Sequence, residues 1–548
     1  MKTVDILIVG GGPAGMCAAA EAARAGGSVL IVEEANALGG QLVKQTHNFF
    51  GSRQHFAGVR GIDIIPKLRA ELDSLGVEAW LEAVATGVFP DGVVTVDQHN
   101  TVRKVLPTKV VIATGAYENM IMFPNNDLPG VYGAGAVQTL MNVNGVLPGK
   151  RVLMVGAGNI GLIVSYQLLQ AGAEVVAVVE AAPKPGGWAV HAAKIKRMGV
   201  PVLCSHTIVR VDGDQRVETA TIATLDSNWK VIPGSEQVLE IDTVCLAVGL
   251  SPFSELLSQA GCPMVFNPAL GGYVPRHDPL LRTEMPGFYI AGDASGVEEA
   301  SAAMIEGRIA GLAAAMDLRT DRGESPSDEE RKRLDEFQSD LASLRRGPMG
   351  SKAREGKNSL WAQKFYTDEY QQLPPKEPAH EWKGARPVIE CPEYIPCDPC
   401  VSSCPTGAIT MPNSINDLPE LDMAKCTGCG ICVAVCPGLA IFLLDLHYSP
   451  TEAMLVLPFE MLPVPAVGDE VYALDRDGHA VCKARVVSVR TRGGRLDRRA
   501  LVGFAFPAEH ASTVRHFSAH EPAEREVLEA EAGEDNDPIV CRFEDVRR

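Results

Sequence analysis

The stretch DILIVGGGPAGMCAAAEAARAG, Asp5–Gly26, decides the fold class. Val4 to Val9 is an apolar run of strand length that passes into Gly10, Gly12 and Gly15 in G-x-G-x-x-G order, with Pro13 and Ala14 leading to the third glycine. In such a turn Gly10 makes the tight bend, Gly12 lets a pyrophosphate approach the backbone, and Gly15 lets the next helix pack on the strand. The helix then presents free N–H groups to an anion. A second apolar run, SVLIVEE, carries Glu33, 18 residues beyond Gly15, where a carboxylate can hold a ribose hydroxyl. Strand, turn, helix and acid in register predict a dinucleotide-binding fold.

The pattern recurs 146 residues later in RVLMVGAGNIGLIVSYQLLQAGAEVVAVVE, with Gly156, Gly158, Gly161 and then Glu180. Glu180 with no arginine cluster after it favours NAD over NADP. The other reading of this second fold is architecture alone, its pocket empty or altered.

Bulk properties narrow the field. A chain of 548 residues has room for three or four domains. Hydrophobic content of 46% and charged content of 22% are ordinary for a soluble globular protein. A formal charge of −18 argues against nucleic-acid or anionic-membrane partners, which need basic patches. The N-terminal apolar run is too short for a signal peptide and meets no cleavage site, and no stretch of 18 uncharged apolar residues follows. Of 14 cysteines, eight lie between Cys391 and Cys436, which points to metal binding in a reducing compartment. A cytoplasmic location is expected.

Those eight fall in two runs, CPEYIPCDPCVSSCP from Cys391 and CTGCGICVAVCP from Cys426. The second is orthodox: Cys426, Cys429 and Cys432 can wrap three corners of an Fe4S4 cube, while Cys436 reaches another cluster. In the first, Cys397, Cys400 and Cys404 keep the spacing, but five residues separate Cys391 from Cys397 where two are usual. Four thiolates could also hold zinc. Two C-x3-C-P endings, each followed by Gly and Ala-Ile, favour clusters. Cys391 is a ligand, a spare thiol or a sign of decay; as the one remaining cysteine nearby, on a loop stiffened by Pro392 and Pro396, it is nominated as a ligand. Residues 388 to 445 resemble the bacterial two-cluster ferredoxin domain. The resemblance implies one cube on Cys404, Cys426, Cys429 and Cys432. It implies a second on Cys397, Cys400, Cys436 and a fourth ligand.

Two further stretches, VVIATGAYE with Thr114 and Gly115, and FYIAGDASG with Gly292 and Asp293, are followed by the small-residue helix ASAAMIEGRIAG. With both glycine turns, in this order, residues 1 to 318 resemble the two-dinucleotide-domain flavoproteins of the thioredoxin and glutathione reductase superfamily. The resemblance implies FAD on the first fold, with Asp293 at the ribityl chain. The helix starting near Ala300 would point its positive end at the flavin N1–C2=O edge. GGQLVKQTHNFFG resembles the corresponding thioredoxin reductase loop, which places Gly40, Gln41 and Asn48 near the flavin. His47 in that loop reads as a packing residue. The departure matters more: no C-x-x-C or C-x4-C pair follows Gly39-Gly40, and Cys17, Cys204 and Cys245 stand apart. Electrons must leave such a flavin by another route.

The expected class is α/β, with two Rossmann-like domains, then an α+β two-cluster ferredoxin domain and a small β domain. The expected boundaries are 1–118 with 251–318 for the FAD domain and 119–250 for the NAD-type domain. A connecting segment, 319–386, holds a charged amphipathic helix, and its aromatics Trp361, Phe365, Tyr366 and Tyr370 imply packing on a surface. Residues 387–445 form the ferredoxin domain, 446–517 the β domain and 518–548 an acidic tail. The end, PIVCRFEDVRR, resembles the opening of a [2Fe–2S] domain, but Phe543 stands where a second cysteine would be. Cys541 then reads as a relic or part of a docking end.

The whole order resembles one subunit of heteromeric amine and amino-acid dehydrogenases. That group includes the alpha chain of sarcosine oxidase, opine oxidase, hydrogen cyanide synthase and dye-linked proline or hydroxyproline dehydrogenases. The resemblance implies a partner FAD subunit of the D-amino-acid-oxidase type that oxidises a C–N bond and, as a further candidate, a small [2Fe–2S] subunit. This chain would relay electrons to an acceptor, with FMN at an interface in some members. The alternatives are a self-contained NAD(P)H:acceptor oxidoreductase, resembling the small subunit of glutamate synthase, and a pure electron carrier.

Overall fold

A computed structural model describes residues 1–361, 384–491 and 499–522. The expectations for Phe365, Tyr366, Tyr370, Cys541 and Phe543 lie outside the described residues. The described chain divides into two compact units, the first holding residues 1–119, 249–361 and 414–416, the second the remainder.

In the first unit, the strand predicted from the opening stretch is Lys2–Val9, and it lies at the centre of a sheet because its side chains are apolar on both faces. It pairs in parallel with Val29–Val32 and Thr101–Ile112, the register running Ile8↔Ile31 and Ile8↔Val111. Glu78–Trp80 and Phe288–Ile290 extend the parallel part, and Val94–Gln98 with Ala83–Val88 add an antiparallel ribbon. Helix Pro13–Arg24 and helix Ala300–Asp321 lie side by side in the core beside Ile6, Ile8 and Ile31. Their closeness depends on two glycines. A Cβ at Gly307 or Gly311 would stand 2.1 Å from the carbonyl oxygen of Ala14 or Ala18. Gly311→Val should therefore force the helices apart and cost about 1–3 kcal/mol, the usual range for overpacking, read as a lower urea midpoint for this unit.

The charged stretch after residue 319 folds back on this unit. Helix Asp328–Leu344 starts at Ser327, whose Oγ accepts from Glu330 N at 3.2 Å while Glu330 Oε2 accepts from Ser327 N at 2.7 Å. That reciprocal pair is a capping box. Leu334, Leu341 and Leu344 pack into the same core as helix Pro13–Arg24. Helix Ser351–Asn358 follows.

In the second unit, Val202–Cys204, Glu174–Glu180, Arg151–Val155, Thr243–Leu246 and Val131–Gly133 form a five-stranded parallel sheet in that order. A three-stranded antiparallel sheet, His206–Asp212 to Gln237–Glu240, accompanies it. The sequence treats residue 446 as the start of a separate β domain, yet no break in the sheet occurs there. Arg386–Ile389 pairs with Ile441–Asp445, which pairs with Glu452–Phe459, and four more strands continue a single seven-stranded sheet. Strand Ile441–Asp445 is apolar on both faces, as befits an interior strand of a sheet covered on both sides.

Candidate functional site

The two glycine turns are one construction built twice. Gly10 and Gly156 both have φ of 104°, a left-handed value that favours glycine. A Cβ on either would stand 2.3 Å from a carbonyl oxygen, of Ala113 or Ala247. Gly15 and Gly161 carry their helices against their own turns, where a Cβ would lie 1.8 or 2.0 Å from the oxygen of Gly10 or Gly156. The middle glycines face open space instead. At Gly158 an added Cβ meets nothing within 4 Å, and at Gly12 only Gly40 Cα at 3.8 Å. Helices Pro13–Arg24 and Asn159–Gln170 begin at these gaps, so each cradle fits a phosphate group.

Each acid braces its own turn. Glu33 accepts from Gly11 N at 2.6 Å and Ala35 N at 2.8 Å, and Glu180 accepts from Ala157 N at 2.8 Å and Ala182 N at 2.9 Å. A third segment closes over both turns: Gly39 N donates to Gly11 O and Gly187 N to Ala157 O, each at 2.9 Å. There the folds diverge. Gly40 opens a 3-10 helix, Gly40–Lys44, whereas the second fold has buried Trp188, whose backbone N–H donates to Asn159 Oδ1 at 2.8 Å. Of the loop residues predicted near the flavin, Gln41 is exposed on the short helix and Asn48 bridges to Arg60. His47 packs its ring on Phe49 at 5.2 Å between centroids. Thr114 donates to Phe253 O, and Gly115 has φ of 77° with open space beside it.

Asp293 follows Gly292 at the end of strand Phe288–Ile290, five residues after Phe288. Burial pushes its carboxyl up to about 7; the N–H of Glu298 opposes this, and the charges of Glu298, Glu306 and Glu299 add to it. Helix Ala300–Asp321 starts where the sequence places it. Behind this turn lies a charge cluster that sequence reading missed. Glu306 Oε2 accepts from Gly292 N at 3.0 Å and Ser295 Oγ at 2.7 Å. Its Oε1 meets Arg345 Nη2 at 2.7 Å and Lys357 Nζ at 3.0 Å. Lys357, fully buried, also donates to Ser295 Oγ at 2.6 Å and Ser295 O at 3.0 Å. Arg345 binds Glu298, whose own N–H donates to Asp293 Oδ1 at 3.2 Å. Burial would raise Glu306, but Lys357 and Arg345 hold it well below its ordinary value. Burial and the Lys357 charge push His277, 3.4 Å from Lys357 Nζ, down to about 3, so it is neutral. The available signal was Glu306 itself, an acid within an otherwise small-residue run.

Cys17, Cys204 and Cys245 form no disulfide among the described residues. Cys17 and Cys245 are buried, and burial pushes Cys17 up to about 11; burial, with the charge of Glu180, does the same to Cys204.

The eight clustered cysteines are gathered by strand pairing. Ile389 pairs with Ile441, and Glu390 N donates to Ala440 O at 2.8 Å, which brings the Cys391 end of the first run beside the Cys436 end of the second. Burial pushes Cys391 well up, and the charges of Cys436 and Cys400 add to it. Burial, then Cys436 and Cys432, push Cys400 up to about 12. Burial also pushes Cys432 up to about 12; the Val433 N–H opposes this and Cys429, Cys426 and Cys404 add to it. The thiols of the two runs thus lie close enough to act on one another, Cys436 on Cys391 and Cys400, Cys432 on Cys400 as well, and Cys404, Cys426 and Cys429 on Cys432. Backbone N–H groups point at the sulfurs: Ala408 to Cys404 at 3.2 Å, Gly428 to Cys426 and Ala440 to Cys436 at 3.4 Å. Crowded thiols with N–H donors suit thiolates balanced by bound positive charge. Among the described residues no three His, Cys, Asp or Glu side chains are grouped as a single-ion site, so the candidate ligands are recognised by their spacing in the chain.

Comparison with known proteins agrees with this geometry. Residues 4–307 match the family model described as pyridine nucleotide-disulphide oxidoreductase, and residues 395–440 match the 4Fe-4S dicluster domain. An opine oxidase subunit of Rhizobium meliloti (strain 1021) is 29% identical over 336 residues, covering 57% of this chain and 71% of that one. The HcnB subunit of hydrogen cyanide synthase from Pseudomonas aeruginosa is 28% identical over 325 residues, 56% of this chain and 69% of that one. The alpha subunit of sarcosine oxidase from Corynebacterium sp. (strain P-1) is 28% identical over 327 residues, 57% of this chain but only 32% of that one. No helix among the described residues is long and apolar enough to cross a membrane. The chain belongs to the pyridine nucleotide-disulphide oxidoreductase family, as a flavin- and iron–sulfur-dependent oxidoreductase that also carries a 4Fe–4S dicluster domain.

Proposed function

We propose that this chain is the electron-relay subunit of a heteromeric amine or amino-acid dehydrogenase, with FAD on the first nucleotide fold and two 4Fe–4S cubes on the clustered cysteines. A bound flavin supplies two-electron acceptance with one-electron release, which single-electron cubes can carry onward. The observation that carries the reading is the strand pairing that brings the Cys391 end of one four-cysteine run beside the Cys436 end of the other, in a chain whose flavin loop has no dithiol. Gly12 and Gly15 shape the diphosphate cradle, Glu33 braces it, and Gly292-Asp293, fastened by Glu306, faces the ribityl chain. Cys404, Cys426, Cys429 and Cys432 hold one cube, and Cys391, Cys397, Cys400 and Cys436 hold the other. The substrate's C–N bond is broken in a partner flavoprotein subunit of the D-amino-acid-oxidase type. An FMN between subunits and a small [2Fe–2S] subunit complete the assembly, which works in the cytoplasm. The names of the matched relatives, each a subunit, support this assignment.

A second reading, direct reduction by NADH, is favoured by the open cradle at Gly158. Stopped-flow mixing of the isolated chain with NADH separates the two. The relay reading expects flavin absorbance to stay unbleached until the co-purified partner and an amine are added. Bleaching by NADH alone within milliseconds to seconds would overturn it.

A further inference from the structure

The five residues between Cys391 and Cys397 are the least expected feature of the iron–sulfur region, and Cys391 lies outside the matched dicluster residues, which begin at 395. Glu393, in the middle of this gap, accepts a hydrogen bond from Ala189 N. Ala189 is the first residue of helix Ala189–Lys196, which belongs to the second nucleotide fold. Beside it, Ile395 is buried. The loop is therefore seated, not slack.

The same helix reaches the other end of this cysteine group. Arg197, just past its last turn and almost fully buried, donates through Nη2 to Leu439 O at 3.1 Å and lies 5.1 Å from the Phe442 ring centre. Leu439, three residues after Cys436, is part of the hydrophobic core of the second nucleotide fold. Buried Lys194 lies over the Tyr166 ring at 4.0 Å. One helix thus grips the Cys391–Cys397 loop at its start and the chain after Cys436 at its end. At its start it also continues from Trp188, which is tied to the glycine turn through Asn159. The sulfurs of Cys404 and Cys426 are met by N–H groups of their own loops, from Ala408 and Gly428.

We propose that Glu393 is a positioning residue that latches the Cys391–Cys397 loop to helix Ala189–Lys196, so that the second nucleotide fold serves as the seat of one cube. This rests on the reading of Cys391, Cys397, Cys400 and Cys436 as one ligand set. It gives the second fold a role that does not depend on which nucleotide it binds. The long gap is the length of chain needed to reach that helix and return.

The test uses the full chain with its clusters, titrated electrochemically with EPR detection of each reduced cube. Glu393→Ala should shift the midpoint potential or the line shape of one cube and leave the other unchanged. Glu393→Gln keeps an acceptor oxygen and should restore the wild-type behaviour. Ala189→Pro attacks the latch from the donor side: proline is tolerated at the first helical position but has no N–H. It should reproduce Glu393→Ala. A change in both cubes or in neither, or a Glu393→Gln variant that behaves like Glu393→Ala, overturns the latch. Cys391→Ser in parallel keeps the underlying reading separate. Two intact cubes in that variant overturn the ligand set, whereas one lost cube together with an inert Glu393→Ala overturns the latch alone.

Discussion

Glu306→Ala is expected to destabilise the flavoprotein unit by about 3–5 kcal/mol, the range for breaking a buried ion pair by removing one partner. Glu306 is 2% exposed, Arg345 2% and Lys357 fully buried, so neither cation can turn to water once the carboxylate is gone. The variant also strips Gly292 N of its acceptor and leaves Ser295 Oγ only Gly292 O, which loosens the turn that carries Asp293. Loss of flavin should therefore accompany the lower urea midpoint. The double variant Glu306→Gln/Lys357→Met, with one cation fewer and similar volume, should lose less than Glu306→Gln and Lys357→Met add up to, and that difference measures the coupling. The pH dependence has a definite sign. The folded carboxyl lies below its ordinary value of 4.5. Its stabilisation is therefore complete above that pH and is lost as pH falls through the folded value. The gap in midpoint between wild type and Glu306→Gln should shrink on that acid side and stay constant toward neutrality. A variant of normal stability and flavin content would show that the cluster is decorative.

Gly15→Ala is expected to empty the first nucleotide fold, with flavin content falling at least about tenfold, while Gly161→Ala leaves flavin in place. The new methyl at Gly15 would stand 1.8 Å from Gly10 O, a backbone atom rather than the end of a flexible side chain. The helix must lift away from the strand, and the cradle at its N-terminus opens. Because the second turn is the same construction, Gly161→Ala is a matched control with the same local insult. Flavin absorbance per chain after gel filtration checks both. Equal loss in the two variants would mean that the folds do not divide the work as proposed, and an unaffected Gly15→Ala would place the flavin elsewhere.

Much of this is legible from the sequence because glycines report backbone geometry locally. Gly10, Gly15, Gly156 and Gly161 are constrained by chain within their own strand, turn and helix, so the motif and its meaning travel together. Cysteine spacing is equally local, and counting alone nominates Cys391. What the sequence hides is settled by distant partners. Arg345 and Lys357 sit in RRGPMGSKAREGK, a stretch rich in glycine and basic residues, and only its return beneath Gly292 makes those charges interior. Glu393 is hidden for the same reason: its partner lies 204 residues away. The divergence of Gly40 from Trp188 is visible as letters, but its consequence needs the fold.

The seven-stranded sheet limits how this protein can be dissected. Cutting at residue 445 to isolate the cysteine region would leave Ile441–Asp445 paired on one side with only the four residues of Arg386–Ile389. Its other side would become a bare edge carrying Ile441, Phe442, Leu443 and Leu444, a template for pairing with further chains. A fragment meant to report on the clusters would aggregate, and the smallest excisable piece must carry its strands through residue 518.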